Sequence, residues 1–208
     1  AVKLVKGEQK SISVGVKRLK EFLGRKKIHH DVRMQEPQAG VVTGLAWTSA
    51  GGEILFIETS RTKGEGKVQI TGQLGDVMKE SVQIALTLVK SMFPEEAETL
   101  NESDIHIHVP AGAVPKDGPS AGITIVTALT SMLKEKGISP EYAMTGEVSL
   151  RGGVMPIGGL PEKLMAAQRA GIRTVFIPYE NREDLEDVAD EVKEDLTIIP
   201  VKRIEEVL

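Results

Sequence analysis

The sequence predicts an α+β fold in which hairpins lie beside strand–helix–strand units. Residues 105–110 alternate between apolar and polar side chains, as expected of a half-buried strand. Residues 76–92 carry an amphipathic helical pattern, and glycine- or proline-rich connections separate the periodic segments. Hairpins mixed with strand–helix–strand units indicate α+β or mixed α/β architecture.

Composition limits the classes of function. The 208 residues can build one sizeable core, and 40% hydrophobic with 27% charged residues is typical of a soluble globular protein. The longest apolar runs, ILFI and GITIVTAL, are too short to span a membrane. A net charge of −4 without a long basic cluster argues against nucleic acid as a partner. The absence of cysteine excludes a disulfide scaffold, a thiol nucleophile and thiolate metal sites.

The N-terminal part of the chain differs from the rest. Ala1 is not an initiator methionine, and we expect a fragment of a longer protein without a signal peptide. The first thirty or so residues are rich in lysine and arginine. A helical pattern at 16–23 stops at Gly24, a residue that commonly ends helices.

A polar stretch containing His29 and His30 then leads to Pro37, and the patterning beyond it becomes mixed. This change predicts a boundary between about residues 30 and 37. We therefore divide the chain into a preceding segment, 1–36, and a main domain, 37–208.

The first elements of the main domain can be predicted in order. Residues 54–58 and 67–72 have strand patterns, and the glycine-rich turn KGEG between them predicts a hairpin. The amphipathic helix 76–92 follows, with Pro94 beyond its end. The half-buried strand 105–110 comes next.

The second half of the domain alternates between helices and strands. Glycines 137 and 171 are predicted to stop two of the helices. The predicted elements are a mostly apolar helix at 121–136, a strand at 143–150, a helix at 161–170, and strands at 174–178 and 196–201 with an acidic helix between them.

A serine in the loop PKDGPSAG, residues 115–122, is a candidate nucleophile. Gly118-Pro119-Ser120-Ala121-Gly122 matches G-x-S-x-G, which raises a serine on a sharp turn before a helix. Unpaired backbone N–H groups at that helix start could bind an oxyanion. The alternative is a turn in which Ser120 only caps the helix, because serine is favoured there.

The histidines restrict the choice of a base for Ser120. All four precede Ser120, which excludes the Ser–acid–His order of an α/β-hydrolase. His106 and His108 are two residues apart on a predicted strand and therefore share a face. They could supply a triad base, bind a metal together with Asp104, or form a polar strand face. No third ligand at a recognisable spacing is present, so we expect no metal site.

A lysine in the segment GGVMPIGGLPEKLMAAQRAG is the other candidate base. Lys163 falls in the first turn of the predicted helix 161–170, where the helix dipole disfavours a positive charge. The dipole supplies only about 0.3–1 kcal/mol, whereas lowering a lysine pKa to about 7–8 requires roughly 4 kcal/mol. Desolvation must therefore supply most of the shift. The alternative is an ordinary exposed helix lysine.

Taken together, the spaced blocks resemble the Lon protease family. PKDGPSAG, TGEVSLRGGVMPIGGLPEK and AGIRTVFIPYENREDL carry the resemblance, and EPQAGVVTGLAWTSAGGEILFIE and TGQLGDVMKESVQIAL extend it upstream. It covers about residues 37–208. Two departures are Pro161, where a charged residue is common, and Gly153, where a bulkier polar residue is usual; both lie outside the candidate catalytic pair.

The resemblance implies a fold, an activity and a set of roles. It implies an α+β fold like domain 2 of ribosomal protein S5, and an ATP-dependent serine endopeptidase with a Ser–Lys dyad. By position, Ser120 matches the family's nucleophile and Lys163 its general base. Thr145 matches the threonine that hydrogen-bonds the lysine, and Asp117 an aspartate linked to switching between closed and open sites.

The resemblance also implies an assembly. Residues 1–30 are similar to the tail of an AAA+ module, which in full-length Lon binds ATP and Mg²⁺. This chain contains no Walker A loop or dinucleotide fingerprint, so no cofactor is expected in it. A homohexamer acting on misfolded and regulatory proteins is expected, in the bacterial cytoplasm first and the mitochondrial matrix second.

The substrate is expected to lie extended against a strand edge, because main-chain pairing binds peptides without requiring one sequence. Trp47 and Glu58, together with Gly118 and Pro119 of the serine loop, are the candidate substrate-binding residues. For Trp47 the alternative is structural packing. Two other functions remain open: a non-catalytic Lon-like scaffold, as in a DNA-repair ATPase, and a serine hydrolase that uses His106 or His108 as base.

Overall fold

The computed structural model describes residues 6–7, 11–13, 15–24, 32–48, 51–111 and 114–208. The chain divides into two compact units, Ala1–His30 and Asp31–Leu208. In the first unit, a 3₁₀ turn at Val16–Arg18 is followed by helix α1, Leu19–Leu23, which ends at Gly24 with φ of 80°, as predicted. His29 and His30 lie outside the described residues.

The strands of the second unit are β1 Val41–Thr48, β2 Gly51–Lys63, β3 Val68–Thr71, β4 Ser103–His108, β5 Tyr142–Met144, β6 Glu147–Val148, β7 Val154–Met155, β8 Thr174–Pro178 and β9 Thr197–Val201. Seven of them form a mixed sheet in the order β3–β4–β2–β1–β5–β8–β9, and β6 and β7 form a separate antiparallel pair. The α-helices are α2 Asp76–Met92, α3 Pro94–Asn101, α4 Gly122–Lys134, α5 Leu160–Ala170 and α6 Asp190–Asp195. The segments Pro119–Ala121, Tyr179–Asp187 and Ile204–Glu206 are 3₁₀ helices.

Two hydrophobic clusters lie on opposite faces of the sheet. The larger contains α2 and α4, whose buried residues Val82 and Ile125 belong to the same cluster as Ile57 of β2 and Ile107 of β4. The smaller contains α5, through Leu160 and Leu164, together with buried residues of β1, β2, β5 and β8. No described helix is long and apolar enough to cross a membrane.

The hairpin predicted between 54–58 and 67–72 is wrong. β4 lies between β2 and β3, antiparallel to the first and parallel to the second. Asp104 of β4 accepts hydrogen bonds from the backbone N–H groups of Glu65 and Lys67, at 2.9 and 3.0 Å. These bonds hold the glycine-rich turn against the inserted strand. The hairpin of this region is instead β1–β2, and β1 was not predicted.

The other predicted elements differ mainly at their ends. The helix at 76–92 is confirmed, and the alternating strand predicted at 105–110 is β4, which spans Ser103–His108; Pro94 begins a further helix, α3, that was not predicted. The helix predicted at 121–136 ends two residues early, because Glu135 adopts the left-handed conformation. The strand predicted at 143–150 is interrupted at Thr145 and Gly146 and continues as β6.

Candidate active site

A cleft of about 1140 Å³ lies where the β1–β2 hairpin, the serine loop and the segment before α5 meet. Side chains from all three border it. Among the residues that line the cleft are Trp47, Glu53, Asp117, Ser120, Ile157 and Lys163. The two candidate catalytic residues, 43 positions apart in the sequence, therefore line the same space.

Ser120 lies in the 3₁₀ turn Pro119–Ala121, which runs directly into α4. The turn follows Gly118, whose φ of 123° is in a region that glycine occupies easily. The backbone oxygen of Ser120 accepts a hydrogen bond from the Gly146 N–H at 2.8 Å. This bond fixes the start of α4 against the interrupted strand, and Ser120 itself is only half-buried.

Lys163 is 2% exposed, although it is a lysine. It lies at the fourth position of α5, and its N–H is bonded to the oxygen of Gly159, which precedes the helix, at 3.1 Å. Burial lowers the pKa of its ammonium from 10.5 to about 8. Desolvation is thus the cause of the shift, as the sequence predicted, and the alternative of an exposed helix lysine is excluded.

Thr145 connects Lys163 to the serine loop. It is completely buried at the point where the strand from β5 is interrupted. Its Oγ1 accepts a hydrogen bond from Lys163 Nζ at 3.1 Å and donates one to the backbone oxygen of Ser120 at 3.4 Å. Because the hydroxyl proton is directed at that oxygen, an uncharged Lys163 amine keeps its lone pair available for another donor.

Asp117 ties the serine loop to helix α2. Its Oδ1 accepts hydrogen bonds from the N–H of Met78, in the first turn of α2, and from the N–H of Gly118, both at 2.9 Å. A carboxylate at this end of a helix is also favoured by the helix dipole. Asp117 therefore holds the loop that carries Ser120, and it also lines the cleft.

The predicted substrate-binding residues separate into two groups. Trp47 lines the cleft with Gly118 and Pro119, and it is 57% exposed. Its ring lies against Gly159, where a Cβ atom would come within 2.7 Å of Trp47 Cγ. Glu58 is not among the residues that line the cleft; Glu53, closer to the tip of the hairpin, lines it instead.

His106 and His108 do not border the cleft either. Both point to the face of the sheet opposite the larger cluster, where Glu58 faces His108 across β2 and β4. Thr71 Oγ1 lies 2.8 Å from His106 Nε2 and 2.7 Å from His108 Nδ1. The pair thus forms part of a polar strand face. In the described part of the chain no three histidine or acidic side chains are grouped closely enough to hold a metal ion.

Two residues that sequence reasoning missed position the walls of the cleft. A Cβ atom on Gly52 would lie 1.9 Å from the Glu162 oxygen, so β2 contacts the first turn of α5 directly. The side chain of the buried Asn181 accepts from the N–H of Ile157 at 2.9 Å and donates to its oxygen at 2.8 Å. No local pattern identifies either residue, because both partners are distant in sequence.

The sequence of the chain matches a known protein family. Residues 13–208 match the Lon protease (S16) C-terminal proteolytic domain. The chain belongs to this family. It is 58% identical to the Lon protease of Clostridium beijerinckii over 190 residues, which cover 91% of this chain and 24% of that protein. It is 51% identical to the Lon protease of Escherichia coli K12 over 202 residues, covering 96% of this chain and 26% of that protein.

The similarity also extends to an archaeal Lon protease, from Methanosarcina barkeri, at 54% identity over 192 residues, or 91% of this chain and 24% of that protein. The chain thus spans about a quarter of the length of the curated relatives it matches. The Lon proteolytic domain described here has a mixed α/β fold with a central mixed sheet.

We predict that Lys163→Met stabilises this Lon domain at neutral pH. The pKa of Lys163 in the folded domain, about 8, is below its ordinary value of 10.5. Burying the charged ammonium therefore destabilises the wild-type fold below pH 8, and this destabilisation decreases as the pH rises from 8 towards 10.5. The shift corresponds to roughly 3 kcal/mol. Urea unfolding should show the variant more stable at pH 7, with the difference shrinking at higher pH. A variant less stable than wild type at pH 7 would contradict this.

We also predict that Gly52→Ala destabilises the domain. The added methyl group must displace the Glu162 carbonyl and with it the start of α5, and overpacking of this kind costs about 1–3 kcal/mol. Urea unfolding measures the change. Gly15→Ala is the control, because in the part of the chain that the structure describes no neighbouring atom lies within 4 Å of a Cβ there. Equal stability of the two variants would show that the close contact is not constraining.

Proposed function

We propose that the chain is the peptide-cleaving part of an ATP-dependent Lon protease, with Ser120 as nucleophile and Lys163 as general base. The observation that carries the proposal is the buried lysine, with its pKa lowered to about 8, in the same cleft as a serine on a turn before a helix. Family membership supports the same activity. The bond from Thr145 to both residues supports their acting together.

The lowered pKa suits Lys163 to proton transfer near neutral pH. At pH 7 about one molecule in ten has the neutral amine, compared with fewer than about one in a thousand for an ordinary lysine. A base whose pKa is near the working pH can both accept and return a proton. Thr145 holds the amine while leaving its lone pair free to face Ser120 Oγ.

The reaction proceeds by acyl transfer. As Ser120 Oγ attacks the peptide carbonyl carbon, Lys163 takes the hydroxyl proton and the carbonyl electrons move to the oxygen. Backbone N–H groups at the start of the helix following Gly118 and Pro119 stabilise that oxyanion. Lys163 then gives the proton to the leaving amine. In the second half, Lys163 deprotonates a water that attacks the ester, and the proton returns to Ser120.

An extended peptide can bind along β1. On one side β1 pairs with β2 over its whole length, whereas on the other its pairing with β5 is limited to Thr43 and Gly44. Residues 45–47 therefore have no partner strand on that side among the described strands, and they line the cleft. Main-chain pairing at this edge, with Trp47 beside it, would hold polypeptides of many sequences. Glu58 lies too far along β2 to take part and is left out of this site.

The remaining features of the proposal concern the whole protein. We propose a ribosomal S5 domain-2-like fold, a homohexamer, and an AAA+ module in cis that binds ATP and Mg²⁺ and whose end is segment 1–36. The proposed substrates are polypeptides that the protease degrades in protein quality control, and the proposed location is a bacterial cytoplasm. The short span of this chain relative to its relatives leaves room for such a module. A non-catalytic scaffold is not favoured, because it would have no use for a buried lysine in the same cleft as Ser120.

We predict that acylation by a fluorophosphonate requires Ser120 and Lys163 but neither histidine. Ser120→Ala should abolish labelling and peptide hydrolysis, and Lys163→Ala should reduce both by about 10³-fold or more, as loss of a base that activates a nucleophile does. Intact-protein mass spectrometry and a fluorogenic peptide measure the two. Because His106 and His108 lie outside the cleft, His106→Ala and His108→Ala are the matched controls and should keep wild-type rates.

The opposite pattern would replace the proposal with another. Labelling that survives in Lys163→Ala but is lost in a histidine variant would assign the base to that histidine. Full peptide hydrolysis by Ser120→Ala would exclude Ser120 as nucleophile. The wild-type chain could also fold and show neither labelling nor peptide hydrolysis. If the full-length protein showed neither as well, the non-catalytic scaffold would be favoured.

A further inference from the structure

A second lysine, Lys116, lies in the serine loop, and its ammonium is enclosed in a cage of backbone carbonyls. Its Nζ donates hydrogen bonds to the oxygens of Ala111 at 2.8 Å and of Gly72 and Val114 at 3.0 Å. The oxygen of Val109 is 3.4 Å away. The ammonium thus donates hydrogen bonds to backbone carbonyls of two separate chain segments, one at Gly72 and one that contains Ala111 and Val114, and all three of its N–H donors are used.

The cage connects the serine loop to the turn that follows β3. The backbone of Lys116 is also bonded there: its N–H donates to the Gln73 oxygen at 3.1 Å and its oxygen accepts from the Gly75 N–H at 2.8 Å. Gln73 and Ala111 both have positive φ, 54° and 64°, which non-glycine residues rarely adopt. Such conformations persist only where the surroundings enforce them, and Lys116 provides the bonds that do so.

The caged segment is also a wall of the cleft. Pro110, Ala111, Val114 and Pro115 border it, as do Lys116 and Ser120. Carbonyl dipoles that converge on one point repel each other unless a positive charge lies between them, as K⁺ does in rings of backbone carbonyls. Burial lowers the pKa of Lys116 from 10.5, consistent with an ammonium that has exchanged water for protein oxygens.

We propose that Lys116 is a positioning residue whose ammonium serves as a built-in monovalent cation, holding residues 109–111 and 114–115 of the cleft wall against residues 72–75 so that Ser120 faces a formed cleft. The inference rests on the proposed function, since the wall matters only if the cleft binds a peptide. Removing the ammonium while leaving the space should create a vacant site for a small cation. That site should accept an alkylammonium ion of the right length.

The test is chemical rescue of Lys116→Ala. The variant should lose about tenfold in kcat/KM for a fluorogenic peptide, the equivalent of one charged hydrogen bond. Propylammonium, which replaces the deleted atoms, should restore most of the activity at millimolar concentrations. Tetramethylammonium at the same ionic strength has no N–H donor and should restore none. Lys116→Met fills the space without a charge, and it should show the same loss without rescue.

A readout independent of catalysis separates this inference from the proposed function. In Lys116→Ala, amide hydrogen exchange of residues 109–116 should be faster than in wild type, and propylammonium should slow it again. Lys79→Ala is the control, because the Lys79 ammonium is exposed and pairs with Asp76 across one helical turn. It should leave both exchange and kinetics unchanged.

Several outcomes would overturn the inference. Unchanged exchange and kinetics in both Lys116 variants would mean that the cage positions nothing. Equal effects of propylammonium and tetramethylammonium would mean that no cation site exists. If wild type hydrolyses no peptide, the proposed function fails, while the exchange measurements still decide whether Lys116 holds the wall. If Lys116→Ala does not fold, exchange in Lys116→Met decides in its place.

Discussion

The site depends on the removal of Lys163 from water. Lys163 lies on α5 between Leu160 and Leu164, which belong to the smaller hydrophobic cluster, and only 2% of the lysine remains exposed. The fold accepts an unfavourable ammonium there because α5 is held by many apolar contacts and by the close approach of Gly52. The same burial gives Lys163 a pKa near 8. The burial that destabilises the fold therefore also makes the amine able to accept a proton near neutral pH.

The rest of the site is held by bonds between segments that are distant in sequence. Where the strand is interrupted, the Thr145 hydroxyl and the Gly146 N–H both donate hydrogen bonds to the backbone oxygen of Ser120. Asp117 then ties the same loop to the start of α2, and Lys116 ties it to the turn after β3. The serine is therefore positioned by rigid elements on both sides of its loop, as a nucleophile that must meet a base requires.

The sequence predicted what short-range periodicity and chemistry determine. The helix at 76–92, the alternation along β4 and the need to desolvate Lys163 all follow from neighbouring residues. The insertion of β4 between β2 and β3 does not, because strand order depends on pairings that no local pattern specifies. For the same reason the sequence could not separate Glu58 from the cleft, or identify Gly52, whose role exists only where another segment approaches its backbone.

The most direct test of the account is a titration of the Lys163 side-chain amine itself. Nitrogen-15 chemical shifts of lysine Nζ, assigned by the signal missing in Lys163→Met, report the protonation of each amine in the folded domain. The account predicts that Lys163 titrates with a midpoint near pH 8, below the ordinary lysine value of 10.5. A midpoint near the ordinary 10.5 would show that the amine is not desolvated and would remove Lys163 as the base for Ser120.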